Sequence, residues 1–134
     1  MSALSLSWSA SPPDPAAYCA LRVACGLSPR TPQAATVAFG GSLHAVFLHD
    51  GNRLVGMGRV IGDGGTHAAL VDIAVHPDYQ RRGLGRQIVT RLNAWCDGNL
   101  PPQTFIALIV KPAAMPFYHS LGFSDQHGMG RRVP

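Results

Sequence analysis

Val75-His76-Pro77-Asp78-Tyr79-Gln80-Arg81-Arg82-Gly83-Leu84-Gly85-Arg86 is the stretch from which the fold is read. Before it, His67–Val75 is rich in apolar residues on both faces, the pattern of a central strand. After it, Leu84, Ile88, Leu92 and Trp95 recur at helical spacing, which predicts a helix from Leu84 to Cys96. His76-Pro77-Asp78 breaks the strand, so the stretch turns a strand end into a helix start. The first N–H groups of a helix lack intrahelical partners and carry partial positive charge. Gly83 and Gly85 let a ligand approach the backbone closely. Arg81, Arg82 and Arg86 place three guanidinium groups around the same point. Together these features suit an anion, specifically phosphate or pyrophosphate. Neither common nucleotide motif is satisfied: the third position of a G-x-G-x-x-G loop is Ile88, and no G-x-x-x-x-G-K-[ST] run exists.

Toward the C-terminus, Pro101-Pro102 ends the helical unit and Thr104–Val110 reads as a buried strand. The two strands and the helix between them form a right-handed parallel crossover. Ala114–Leu121 is expected to be a short helix stopped by Gly122, and Phe123–Pro134 leaves room for one more strand. Toward the N-terminus, Leu43–Leu48 and Arg53–Ile61 are strands joined at Asp50-Gly51-Asn52, and Gly62-Asp63-Gly64-Gly65 is a second turn. Asp14-Pro15 is a helix start for Ala16–Ala24, and Gln33–Phe39 reads as a second short helix. The opening from Ser2 to Pro13 is either an irregular end or, through the Leu4–Leu6–Trp8 alternation, a first strand. This order predicts an α/β (α+β) sheet with helices packed on it.

The chain has 134 residues, 46% hydrophobic and 13% charged, which fits one globular domain spanning 1–134 and excludes a disordered chain. No apolar run approaches the roughly 18 residues of a membrane span, and no signal-like leader opens the sequence. Neither a membrane nor a nucleic-acid partner is expected: the net charge of +4 suits an anionic ligand but is too small to demand a polyanion. Lys111 is the only lysine and Glu is absent. Cys19, Cys25 and Cys96 are odd in number and unpaired in spacing, so a reducing, cytoplasmic setting is expected. His44 and His49 lack metal-ligand spacing, and no metal is expected.

Gln80-Arg81-Arg82-Gly83-Leu84-Gly85, preceded by Val75-His76-Pro77, resembles the Q/R-x-x-G-x-G/A core pattern of the GNAT superfamily of N-acetyltransferases. Phe117-Tyr118-His119-Ser120-Leu121-Gly122-Phe123 is similar to the family's second pattern, an aromatic pair before a helix-ending glycine. The resemblance covers roughly Leu43 to Phe123. A weaker likeness runs to small bacterial members and to plant arylalkylamine (serotonin-type) acetyltransferases. It implies the GNAT acyl-CoA N-acyltransferase fold: a mixed, mostly antiparallel sheet with a central parallel pair splayed for coenzyme A, and flanking helices.

It further implies that acetyl-CoA lies between His67–Val75 and Thr104–Val110, with coenzyme A as product. Backbone groups along Ile73, Ala74 and Val75 would hold the pantetheine arm as an added strand. Gln80, Arg81, Arg82, Gly83, Leu84, Gly85 and Arg86 would hold the pyrophosphate. Tyr118 matches the family's general acid and lies against the cofactor. Lys111 stands where the family usually has Asn or Asp, and it meets either a cofactor phosphate or solvent.

The general base stays open. An alkylammonium has a pKa of about 10.4, so freeing the amine at neutral pH costs roughly 4–5 kcal/mol. Without Glu, the candidates are Asp72, His67, His76, Asp63 or a water chain. Strand alternation puts Val75, Ile73, Val71, Ala69 and His67 on one face and Asp72 on the other. Asp72, a carboxylate on an apolar strand, is either catalytic or hydrogen-bonded to a loop or helix end. The expected function is direct acetyl transfer from acetyl-CoA to a primary amine of a small-molecule acceptor. The alternative is a non-catalytic acyl-CoA-binding regulatory module of the same fold. Homodimers, common in the family, remain open for this chain.

Overall fold

The structure, a computed structural model, describes residues 4–134. Its elements run β1 (Leu6–Ser9), α1 (Pro15–Ala24), α2 (Pro32–Gly40), β2 (His44–Asp50), β3 (Arg53–Gly62), β4 (His67–Val75), α3 (Leu84–Asn99), β5 (Phe105–Ala107) and α4 (Met115–His119). The five strands form one sheet in the order β1-β2-β3-β4-β5. The first three pairings are antiparallel and β4–β5 is parallel. Of the Leu4–Leu6–Trp8 alternation, Leu6 and Trp8 lie on a strand and Leu4 precedes it, while Ser2 and Ala3 lie outside the described residues. No helix among the described residues is long and apolar enough to cross a membrane.

Local chemistry accounts for the helix starts. Asp14 accepts from the Ala16 N–H at 2.9 Å, and Pro15 opens α1. Thr31 accepts from the Ala34 N–H at 3.1 Å, and Pro32 opens α2. On one face of the sheet, Ile88, Val89, Leu92 and Cys96 of α3 pack on Val46, Val60, Ala68 and Leu70. On the other, Tyr18, Leu21 and Ala35 of α1 and α2 cover Phe47, Met57 and Ala74. Each large apolar side chain so buried contributes about 1.5–3 kcal/mol. Glycine sets how closely α3 seats: a Cβ at Gly58 would lie 2.8 Å from both Ile88 Cγ2 and Leu92 Cδ1.

Three expectations need correction. The register jumps from Met57↔Ala74 to Arg59↔Val71, so Gly58 faces both Asp72 and Ile73 across a β-bulge. Asp72 has φ 59°, in the left-handed region that Asp tolerates better than most residues. The bulge breaks the alternation: Ala68 and Leu70 share the α3 face with Ile73 and Val75, whereas Val71 and Asp72 line the α1/α2 face together. The parallel ladder is also shorter than Thr104–Val110. It ends at Ala69↔Ala107, because the bulge bends β4 away from its neighbour. Finally, Phe123–Pro134 adds no strand, and among the described residues no backbone–backbone hydrogen bond is made beyond Phe123. Gly128 and Gly130 there add backbone freedom and no side chain to pack.

Candidate active site

The end of β4 and the start of α3 build a cradle. Gly83 caps α3 with φ 76°, no side chain caps its free N–H groups, and no acid stands in the first turn. Arg81 also takes positive φ, 64°. Two positive-φ positions, on either side of Arg82, turn the backbone sharply into the helix start. Arg81, Arg82 and Arg86 are exposed around this point, while Leu84 is buried and anchors the turn to the core. Arg82 lies over the Tyr79 ring, 5.6 Å from its centroid. Arg86 lies 5.7 Å from the Phe117 centroid and donates to Ser120 Oγ at 2.7 Å, tying the cradle to α4. A Cβ on Gly85 would touch Phe117 and Val75 at 3.9 and 4.0 Å, so the helix start, the strand end and α4 meet there.

Past Ala69↔Ala107, β4 has no strand on its β5 side. Its open stretch contains Ile73, Ala74 and Val75. The Val75 carbonyl accepts from Gln80 Nε2 at 2.9 Å, a side-chain bond on an exposed residue. Ala74 is buried against α1 and α2. Lys111 is exposed at the start of the short 3-10 turn Pro112–Ala114.

Tyr118 stands half-buried on α4, edge-on to Phe117 (5.0 Å, 83°) and Phe123 (6.0 Å, 90°). Burial pushes its pKa above the ordinary phenol value, so the hydroxyl is protonated at neutral pH. Its Oη makes no hydrogen bond within the described chain, and it lines a cavity of about 400 Å³ with Ile106–Val110 and Phe123. A protonated, uncommitted phenol of this kind can give up a proton.

The structure separates the two ionisable residues of β4. Asp72 Oδ2 accepts from Tyr18 Oη at 2.5 Å and Arg59 Nε at 2.7 Å, and Oδ1 accepts from Arg22 Nη1 at 2.5 Å. Burial by itself would raise the Asp72 pKa. The hydrogen bonds from Tyr18 and Arg59 and the charges of Arg59 and Arg22 outweigh it, and the carboxyl sits below its ordinary value. A carboxylate so held is a weak base. His67 is exposed at the far end of β4, beside Phe105, eight residues or about 26 Å along the strand from Val75. Asp63 accepts from the N–H groups of Gly65, Thr66 and His67 and holds the β3–β4 turn, well below its ordinary pKa. His76 accepts from the Asp78 N–H at 3.1 Å beside Arg53.

Tyr18, Arg22 and Arg59 are site residues that the sequence reading does not single out. The signal was present: Tyr18 and Arg22 are one helical turn apart on α1, and Arg59 is a charge on an apolar strand, as Asp72 is.

A parallel strand pair that opens toward an arginine-rich helix start is the architecture of the acyltransferase class. Within that class the chain belongs to the GNAT acetyltransferases, since the family described as "Acetyltransferase (GNAT) domain" matches residues 41–125. A Staphylococcus aureus protein of unknown function, described as a "Probable Acetyltransferase", superposes with a TM-score of 0.90 at 35% identity over 96% of this chain and 99% of that one. Mycothiol acetyltransferase of Corynebacterium efficiens is 40% identical over 53 residues, 37% of this chain and 18% of that one. The chloroplastic serotonin N-acetyltransferase 2 of rice is 39% identical over 72 residues, 54% of this chain and 35% of that one. The chain therefore spans less than half the length of these two curated relatives.

Proposed function

We propose that the protein is an acetyl-CoA-dependent N-acetyltransferase that moves an acetyl group directly to a primary amine of a small-molecule acceptor. The observation that carries this reading is the juxtaposition, through Gly85, Phe117 and Arg86, of an uncapped helix start, an open strand end and the helix that bears Tyr118. Membership of the GNAT family supports it.

The residues present fit the cofactor. The free N–H groups from Gly83 to Arg86, with the guanidinium groups of Arg81, Arg82 and Arg86, suit a diphosphate. The open backbone of Ile73 and Val75 suits an amide-bearing arm laid down as an added strand, with Gln80 giving up the Val75 carbonyl. When bound, acetyl-CoA supplies the activated acetyl group and a thiolate leaving group. Tyr118 holds a proton at Oη and is the proton source for the leaving side of the reaction. Asp72 is assigned to positioning, because all three donors around it hold it as a carboxylate; the amine proton leaves through water. Lys111 is assigned to solvent rather than to the cofactor.

The test is incubation with acetyl-CoA and a panel of amines, including tryptamine, spermidine, aminosugars, amino acids and a short peptide, read as acetylated product by mass. A Tyr118→Phe variant and a calorimetric acetyl-CoA titration run beside it. Product on one amine class, reduced in the variant, supports the proposal. Cofactor binding without product on any amine favours a regulatory acyl-CoA-binding module, and no cofactor binding overturns the assignment.

A further inference from the structure

A second cavity, of about 230 Å³, lies on the α1/α2 face of the sheet, and Val71 and Asp72 of the β4 bulge form part of its lining. Three of its lining residues are arginines, Arg22, Arg30 and Arg59, against one carboxylate, Asp72. The described residues thus leave it two positive charges in excess.

The four groups are not equally committed. Arg22 is 5% exposed and spends its donors on Asp72 Oδ1, Tyr18 Oη, the Ser28 carbonyl and Ser28 Oγ. Arg59 is 8% exposed, and its Nε and Nη1 are engaged by Asp72, the Ala38 carbonyl and Ser42 Oγ. Its Nη2 has no hydrogen-bond partner among the described residues. No fully buried side-chain nitrogen there lacks a partner, so this atom keeps some exposure, on a residue that lines the cavity. Arg30 is exposed at the rim, held only by Ser28 Oγ and the Pro29 carbonyl. A guanidinium more than nine-tenths buried, with one uncommitted nitrogen on a residue that lines a cavity and a second, exposed arginine in the same lining, suits an oxyanion.

The cavity also stands next to the open edge of β4. Asp72 lines it, and Ile73, with its Cα about 3.8 Å further along the chain, begins the stretch assigned to the cofactor arm. A molecule seated here by one end would have its other end directed along β4 toward that edge.

We infer that the acceptor carries, besides its amine, an anionic group, a carboxylate or a phosphate, which Arg59 Nη2 and Arg30 hold in this cavity. The inference rests on the acetyltransferase reading and narrows its substrate class. It agrees with a chain that has no Glu, only seven acidic residues and a net charge of +4.

The experiment compares matched amines that differ in the anion alone: 4-aminobutyrate against butylamine, and phosphoethanolamine against ethanolamine. Acetylated product is measured by mass with wild type, Arg30→Glu and Arg30→Lys. Arg30 is exposed and meets the buried network only through Ser28 Oγ, so the ion pairs of Asp72 with Arg22 and Arg59 keep their partners in these variants. The expected result is a kcat/KM about tenfold or more higher for the anionic member of at least one pair. Arg30→Glu should collapse that ratio, mainly through KM, and Arg30→Lys should restore part of it. The winning pair tells carboxylate from phosphate. Equal or better turnover of the neutral members overturns the inference and leaves the acetyltransferase reading standing. If no amine is turned over, calorimetric titration of the same four amines in the presence of coenzyme A decides. Binding of an anionic amine that Arg30→Glu abolishes supports the cavity's role, and no binding at millimolar concentration overturns it.

Discussion

Arg59 Nε donates to Asp72 Oδ2 at 2.7 Å, joining β3 to β4 at the residue where β4 bulges. Arg22, from α1, completes the grip at 2.5 Å. One carboxylate thereby ties a helix and two strands to a backbone conformation, φ 59°, that few residues adopt.

Removing that carboxylate should be costly. Asp72→Ala leaves two buried guanidinium groups without their anion, and the loss expected is about 3–5 kcal/mol of stability. Chemical denaturation measures it. Asp72→Asn should lose less, since the amide oxygen still accepts a hydrogen bond.

Acid should expose the same group. The Asp72 pKa is lower folded than its ordinary value of 3.8, so its contribution is fully present above that value and is lost as pH falls through the folded value. The stability gap between wild type and Asp72→Asn should hold from neutral pH down to about 4 and narrow below it. A gap that instead narrows between pH 7 and 5 would rule out a depressed Asp72 pKa.

Tyr118→Phe removes the proposed proton source and keeps the ring packing on Phe117 and Phe123. Turnover should fall by about 10²–10⁴-fold, with acetyl-CoA affinity nearly unchanged. Because burial raises this pKa above 10.0, the wild-type kcat should show no alkaline loss due to Tyr118 below about pH 10. Single-turnover rates and calorimetry separate the two effects.

Arg82→Ala with Arg86→Ala should weaken acetyl-CoA binding by about tenfold or more, through lost charge-assisted contacts to phosphate. The remaining affinity should depend less on salt, as both side chains are exposed. Titration at two ionic strengths tests this.

Gly58→Ala should destabilise by about 1–3 kcal/mol, because the new methyl meets Ile88 Cγ2 and Leu92 Cδ1 at 2.8 Å. α3 must shift to admit it. Acetyl-CoA affinity should therefore fall together with the melting temperature, since α3 carries the cradle.

Much of this protein was legible because its signals are local. A run apolar on both faces marks His67–Val75 and a period of 3.6 marks Leu84 onward, where β4 and α3 begin, and Asp14-Pro15 fixes the start of α1. The glycine–arginine turn from Gln80 to Arg86 is contiguous, so its chemistry could be read before its shape was known. The tertiary structure alone decided how far β5 follows β4, that Val71 shares the face of Asp72, and that Tyr18, Arg22 and Arg59 converge on that carboxylate from positions 54, 50 and 13 residues away. Strand alternation assumes an unbroken pleat, and a bulge reverses it with a single extra residue. The ionic cluster depends on α1 lying across that bulge, a long-range packing outcome that neighbouring residues in the sequence do not encode.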